Sequence, residues 1–168
     1  MSVVACRITK SGYEISSDSI VVSGHTQTRG QTSSFVKLYE TNGMVIGSVG
    51  LAEEGSLFRL FCETHRPSRS DEFAILELIA EFSEWKNKKL DNAGIENEYI
   101  LGYEKNVFCI SRWHVEKIKT YCAIGAGMDF ALAALYLGHS ARKAVETAIE
   151  LSIYCESPIV TIDKNVQS

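Results

Sequence analysis

Apolar and polar positions alternate at the start of the chain. Residues 2–9 and 13–18 are short β-prone runs on either side of Lys10-Ser11-Gly12, so the sequence predicts an opening hairpin. A polar stretch over 24–30 follows. A second hairpin is expected from 35–40 and 44–49, joined at Thr41-Asn42-Gly43, because Asn-Gly accepts the positive φ that a tight turn needs. The period then lengthens. Leu57, Leu60 and Phe61 fall at i, i+3 and i+4 within 52–64, and Pro67 closes the segment, which predicts a helix. Ser70 is the expected N-cap of a longer helix over 71–88. There Ile75, Leu78, Ile79, Phe82 and Trp85 form an apolar stripe, and Glu77, Glu81 and Lys86 are expected to face away from it. Strand patterns return at 99–103, 107–111 and 115–122. Helices are expected over 129–137 and from a Ser140 N-cap to 155, the second burying Ala144, Val145, Ala148 and Leu151. A strand over 159–162 ends the pattern.

Strands joined by tight hairpins must be antiparallel neighbours, and each amphipathic helix needs a surface to cover. The order hairpins, helix pair, hairpins, helix pair and strand therefore predicts an α+β fold. Its expected form is a four-layer α/β/β/α sandwich of two mainly antiparallel sheets covered by helix pairs, one domain over 1–168.

Composition narrows the function. The chain is 45% hydrophobic and 23% charged with a net charge of −4, so no basic field exists for nucleic acid. No run approaches the ~20 apolar residues of a membrane span, and residues 1–19 lack a signal peptide's continuous apolar core; a cytoplasmic protein with no membrane partner is expected. The five cysteines contain no C-x-x-C pair and read as reduced, mostly core residues. His25, His65, His114 and His139 show no metal-ligand spacing, and Gly125-Ala126-Gly127 lacks the third glycine of a dinucleotide loop, so neither metal nor cofactor is expected. The Lys86-Asn87-Lys88-Lys89 cluster reads as a solvated helix end.

Four features in order carry a resemblance: Ser2 at the start of the first strand, Ser17-Asp18 at the end of the second, Val45-Ile46-Gly47-Ser48-Val49-Gly50 before a helix, and Ala123-Ile124-Gly125-Ala126-Gly127 before another. In this order the chain resembles the proteasome β-subunit superfamily, and in particular the bacterial HslV-like peptidases, which have the N-terminal nucleophile hydrolase fold. The resemblance implies that Ser2, once Met1 is removed, supplies both the attacking hydroxyl and, through its own amine, the base. It further implies that Asp18 organises the nucleophile and that the backbone N–H of Gly47 faces the oxyanion. It places Ser34 where active members carry a lysine. Lys37 lies three residues further along, and by strand alternation that odd offset is expected to turn it to the opposite face.

Two functions follow from the resemblance and stay open at this point. One is a proteasome-like peptidase subunit that acts on peptide or unfolded protein in a ring homo-oligomer fed by an ATP-dependent unfoldase. The other is a catalytically inactive homologue serving as a structural ring subunit or binding module, favoured by Ser34 and by Ala126, where relatives carry a serine. An amidase acting on a small amide is a third and weaker expectation.

Overall fold

The structure is a computed structural model describing residues 1–28 and 34–165. Arg29, Gly30 and the Gln31-Thr32-Ser33 run lie outside the described residues. The chain opens with β1 (Val4–Ile8) and β2 (Gly12–Ser17), and a small hairpin, β3 (Val21–Ser23) with β4 (Thr26–Thr28), occupies the stretch read as merely polar. Then come β5 (Leu38–Thr41), β6 (Met44–Val49), α1 (Ala52–Cys62), α2 (Glu72–Leu90), β7 (Glu98–Tyr103), β8 (Asn106–Ser111), β9 (His114–Lys117), β10 (Tyr121–Ile124), α3 (Met128–Tyr136), α4 (Ala141–Leu151) and β11 (Val160–Asn165).

A four-stranded sheet ordered β10-β1-β2-β11 faces a five-stranded sheet ordered β5-β6-β7-β8-β9, and every pairing in both is antiparallel. Alternation along β1 explains the layering. Val4 and Cys6 point into the layer between the sheets, with Ile15, Leu38, Val45, Ile100 and Ile124. Val3 and Ala5 point the other way, onto α3 and α4, where Ala131, Ala134, Ala144, Val145 and Ala148 let the helices approach closely. The opposite cover is aromatic: Phe58, Phe61 and Phe82 pack with Tyr99 and Phe108 beneath α1 and α2, the Phe58 ring centroid 4.4 Å from that of Tyr99. Each such ring contributes about 1.5–3 kcal/mol by burial. The α/β/β/α sandwich expected from the pattern is the architecture found.

Several local expectations are corrected. The run 115–122 is two strands in different sheets, and the crossing between them is tied by the Ile118 N–H to the Val107 carbonyl at 2.8 Å. Asp71 rather than Ser70 caps α2, its carboxylate accepting the Ala74 N–H at 2.9 Å, while the Ser70 hydroxyl donates to the Tyr103 carbonyl. Ser140 caps α4 through the Lys143 N–H, and the Glu14 carboxylate also accepts the Ala141 and Arg142 N–H groups, placing negative charge at the helix start. Leu151, expected in the core, ends α4 and is exposed. Lys86 is not solvated: it is 2% exposed and donates to Glu54 at 2.7 Å. Its long stem passes under α2 to a carboxylate on α1, which a helical wheel of α2 alone does not reveal.

Candidate functional site

Ser2 lies just ahead of β1, buried at 3% exposure, and its carbonyl accepts the Gly127 N–H at 3.1 Å from the start of α3. Gly125 stands equally close; a Cβ there would lie 2.5 Å from the same carbonyl oxygen, so this turn admits no side chain. The Ser2 hydroxyl is directed onto the Met1 carbonyl oxygen. Ser2 has φ 152°, a value side chains rarely adopt. That torsion is defined by the Met1 carbonyl carbon, so it ceases to exist when Met1 leaves.

Asp18 follows β2 directly, and its carboxylate gathers four donors. Oδ1 accepts the Val3 N–H at 3.0 Å and the Lys37 ammonium at 2.9 Å; Oδ2 accepts the N–H groups of Ile20 and Glu156 at 3.3 and 3.2 Å. The Lys37–Asp18 pair is dry, with side chains 4% and 0% exposed. Burial pulls the Lys37 ammonium below its usual pKa, and Asp18 restores only part of the shift. The expectation that Lys37 points away is therefore overturned. Alternation holds only inside a strand, and β5 begins at Leu38; residues 34–37 are irregular, so the offset between Ser34 and Lys37 carries no facing information. The Lys37 carbonyl is fixed by the Ser48 N–H at 2.9 Å.

Ser34 is exposed and lines a different cleft, with Phe35, Val36, Gly55, Ser56 and Arg59. Gly47 has a packing role. It is mid-strand in β6, paired with Leu38 and Ile100, and a Cβ on it would lie 2.6 Å from Val4 Cγ1; its smallness lets β1 approach β6. Gly50, with φ 126° directly after β6, lines the clefts beside Met1. Both residues had a signal in the sequence: Lys37 is the only cation between Gly30 and the second hairpin turn, and Gly50 stands at a strand-to-helix junction.

Met1 and Gly50 line two clefts. One, about 280 Å³, is walled by Ser2, Lys37, Ile20, Val22, Phe35 and Leu51, and mixes polar and apolar surface. The other, about 600 Å³, carries Glu96, Glu98, Ser111 and Arg112 beside Gly125 and Ala126. Ser2 and Lys37 thus line one cleft, and Asp18 ties Lys37 to the Val3 N–H that follows Ser2. Among the described residues no cluster of three or more His, Cys, Asp or Glu could hold a metal ion, and no helix is long and apolar enough to cross a membrane. All five cysteines are free, and burial raises the Cys155 thiol to about 11.

No protein-family description matches the chain, and no curated protein matches it in sequence. Solved structures do match in shape. BPH of Thiobacillus denitrificans in complex with epoxomicin superposes with a TM-score of 0.89 at 14% identity, over 99% of this chain and 100% of that one. HslV of Trypanosoma brucei gives 0.69 at 18% identity over 95% and 97%, and Anbu (ancestral beta-subunit) of Yersinia bercovieri gives 0.70 at 14% over 95% and 80%. The fold is the proteasome-like, N-terminal nucleophile hydrolase one. At these identities the proteasome-like fold is what is shared, and the chemistry must be argued from this chain's own side chains.

Proposed function

We propose that the chain is a proteasome-like peptidase subunit that cleaves peptide bonds with Ser2 as its terminal nucleophile once Met1 has left. The observation that carries this reading is the buried Lys37–Asp18 pair, whose shared oxygen also holds the Val3 N–H next to Ser2. In this reading the freed Ser2 amine takes the proton from Oγ, and Oγ adds to the substrate carbonyl carbon. The proton passes to the departing amine as the C–N bond breaks, and water then releases the acyl ester. An α-amine ionises near pH 8, and a cation nearby disfavours its protonated form, so Lys37 keeps it a competent base. Asp18 holds Lys37 and the Val3 backbone in register. Gly50 rather than Gly47 supplies the backbone donor to the oxyanion.

Ring assembly of identical subunits, substrate feeding by an ATP-driven unfoldase and a cytoplasmic setting belong to the same proposal. Self-association is favoured by exposed apolar side chains near the ends of α3 and α4: Tyr136, Leu137 and Ile153 are 77, 73 and 85% exposed.

The test is made on protein whose intact mass shows Met1 removed. Wild type should turn over small fluorogenic peptides and gain the mass of epoxomicin; Ser2→Ala should do neither. Ala126, which puts no hydroxyl beside Ser2, favours the second reading of a silent structural subunit. Processed protein that assembles but shows no turnover and no adduct would establish that alternative.

A further inference from the structure

Gly50 and Leu51 form the junction between β6 and α1, where an unsupported peptide would be free to tilt. The Leu51 carbonyl accepts the Gly55 N–H at 3.0 Å as α1 begins, and a side chain from another segment grips Leu51 as well. Asn97 Oδ1 accepts the Leu51 N–H at 2.6 Å, and Asn97 Nδ2 donates to the Leu51 carbonyl at 2.9 Å. One amide thereby closes on both polar atoms of one backbone residue. It also lies against Gly50 itself: a Cβ there would collide with Asn97 Oδ1 and lie 2.7 Å from its Cγ.

Asn97 is itself immobilised. It is 2% exposed, and its N–H donates to Glu54 Oε1 at 2.9 Å. The Glu54 carboxylate also accepts the Glu96 N–H at 3.1 Å and the Tyr99 hydroxyl at 3.1 Å, and pairs with Lys86 at 2.7 Å. Lys86 in turn donates to the Gly94 carbonyl, anchoring the loop that delivers Asn97. The sandwich needs no ion pair beneath α1 and α2, where an apolar pair of similar volume is often no less stable. What this network does fix is the orientation of the Gly50–Leu51 backbone.

We infer that Asn97, seated by Glu54 and Lys86, is the positioning residue for the Gly50 backbone donor at the Ser2 site. This rests on the peptidase reading above. It extends that reading to three side chains that touch neither the nucleophile nor the substrate, and it assigns the buried charges a purpose the fold alone does not.

The experiment compares Met1-free wild type, Asn97→Ala and, as a control for general destabilisation, the core change Ile75→Val. Displacing a donor by a fraction of an ångström acts on the transition state, so Asn97→Ala should lower kcat by about 10- to 100-fold. KM should change by less than about threefold. Hydrogen exchange at the Leu51 amide should accelerate in the same variant, whereas Ile75→Val should keep wild-type kcat and Leu51 exchange. Asn97→Asp retains the acceptor for the Leu51 N–H and loses the donor to its carbonyl; it should give an intermediate kcat, and it replaces the alanine variant if that fails to fold. Wild-type kcat in Asn97→Ala, or a loss of kcat with unchanged Leu51 exchange, overturns the inference. If processed wild type has no turnover, the peptidase reading fails separately, and exchange alone decides the clamp: faster Leu51 exchange in Asn97→Ala upholds it, unchanged exchange removes it.

Discussion

The Lys37 ammonium lies 2.9 Å from Asp18 Oδ1 with both side chains out of water, and the two residues are unequal partners. Asp18 serves three backbone N–H groups besides Lys37, from Val3, Ile20 and Glu156, whereas the Lys37 side chain has Asp18 as its charged partner. Asp18→Ala therefore removes the acceptor of two buried N–H groups, a half-buried one and a buried cation together, at roughly 3–5 kcal/mol. Lys37→Met leaves a carboxylate still holding three N–H groups and should cost less than half of that. Urea denaturation of the two variants checks the order; equal losses would mean that the carboxylate's backbone contacts contribute nothing. Both variants should lose about 10²-fold or more in turnover, since each removes the positioned cation or its anchor.

Gly47 and Val4 occupy one space from opposite sheets. A methyl at 47 would press on Val4 Cγ1 at 2.6 Å, so Gly47→Ala should destabilise by about 1–3 kcal/mol through overpacking. Val4→Ala should also destabilise, by opening a cavity. In the double variant the new methyl enters the space Val4 vacates, and its loss should fall short of the summed single losses by at least about 0.5 kcal/mol. Thermal unfolding of all four proteins measures this, and strict additivity would show that the two residues do not share a site.

The layered fold was legible because it is written in local patterns: Asn42-Gly43 at a turn, the Ile75, Leu78, Ile79 and Phe82 stripe, and Ser140 ahead of α4. Errors arose where a residue's direction depends on a distant segment. Lys37 precedes its strand, so alternation could not say which way it turns; Asp18 decides that, from 19 residues away. Lys86 looked solvent-facing on its own helix, and Glu54 on α1 decides otherwise. The proposed exchange of Gly50 for Gly47 as backbone donor has the same origin, because the crowding of Asn97 against Gly50 comes from a segment 47 residues away.

Gly50→Ala separates backbone conformation from simple crowding. The residue has φ 126° and its Cβ would meet Asn97 Cα at 3.1 Å, an atom of backbone that cannot rotate aside. The variant should destabilise by about 1–3 kcal/mol. It should also lose turnover by more than Gly47→Ala at matched stability. Comparable activity in the two alanine variants would place Gly50 outside the chemistry.

Glu54 makes stability depend on acid in a predictable direction. Burial by itself would raise its carboxyl pKa, but Lys86 and the N–H groups of Asn97 and Glu96 outweigh burial and hold it below the ordinary carboxylate value. The unfolded chain has no such partners, and its Glu54 takes up a proton near pH 4.3. The contribution is thus complete above that value and is lost as pH falls toward the lower folded pKa, because there the unfolded state binds more protons. Exposed carboxylates such as Asp71 and Glu146 are common to wild type and variant and cancel in the difference. Glu54→Gln should therefore be less stable than wild type at pH 7, where Lys86 is left buried opposite a neutral amide. The gap should close on going from about pH 5 to pH 3.5. Adding Lys86→Met removes the unpaired cation and should recover part of the loss at pH 7 while keeping the flatter acid profile. Denaturant titrations at the two pH values give both quantities, and parallel profiles for wild type and Glu54→Gln would mean that this carboxylate is no more easily ionised in the folded protein than in the open chain.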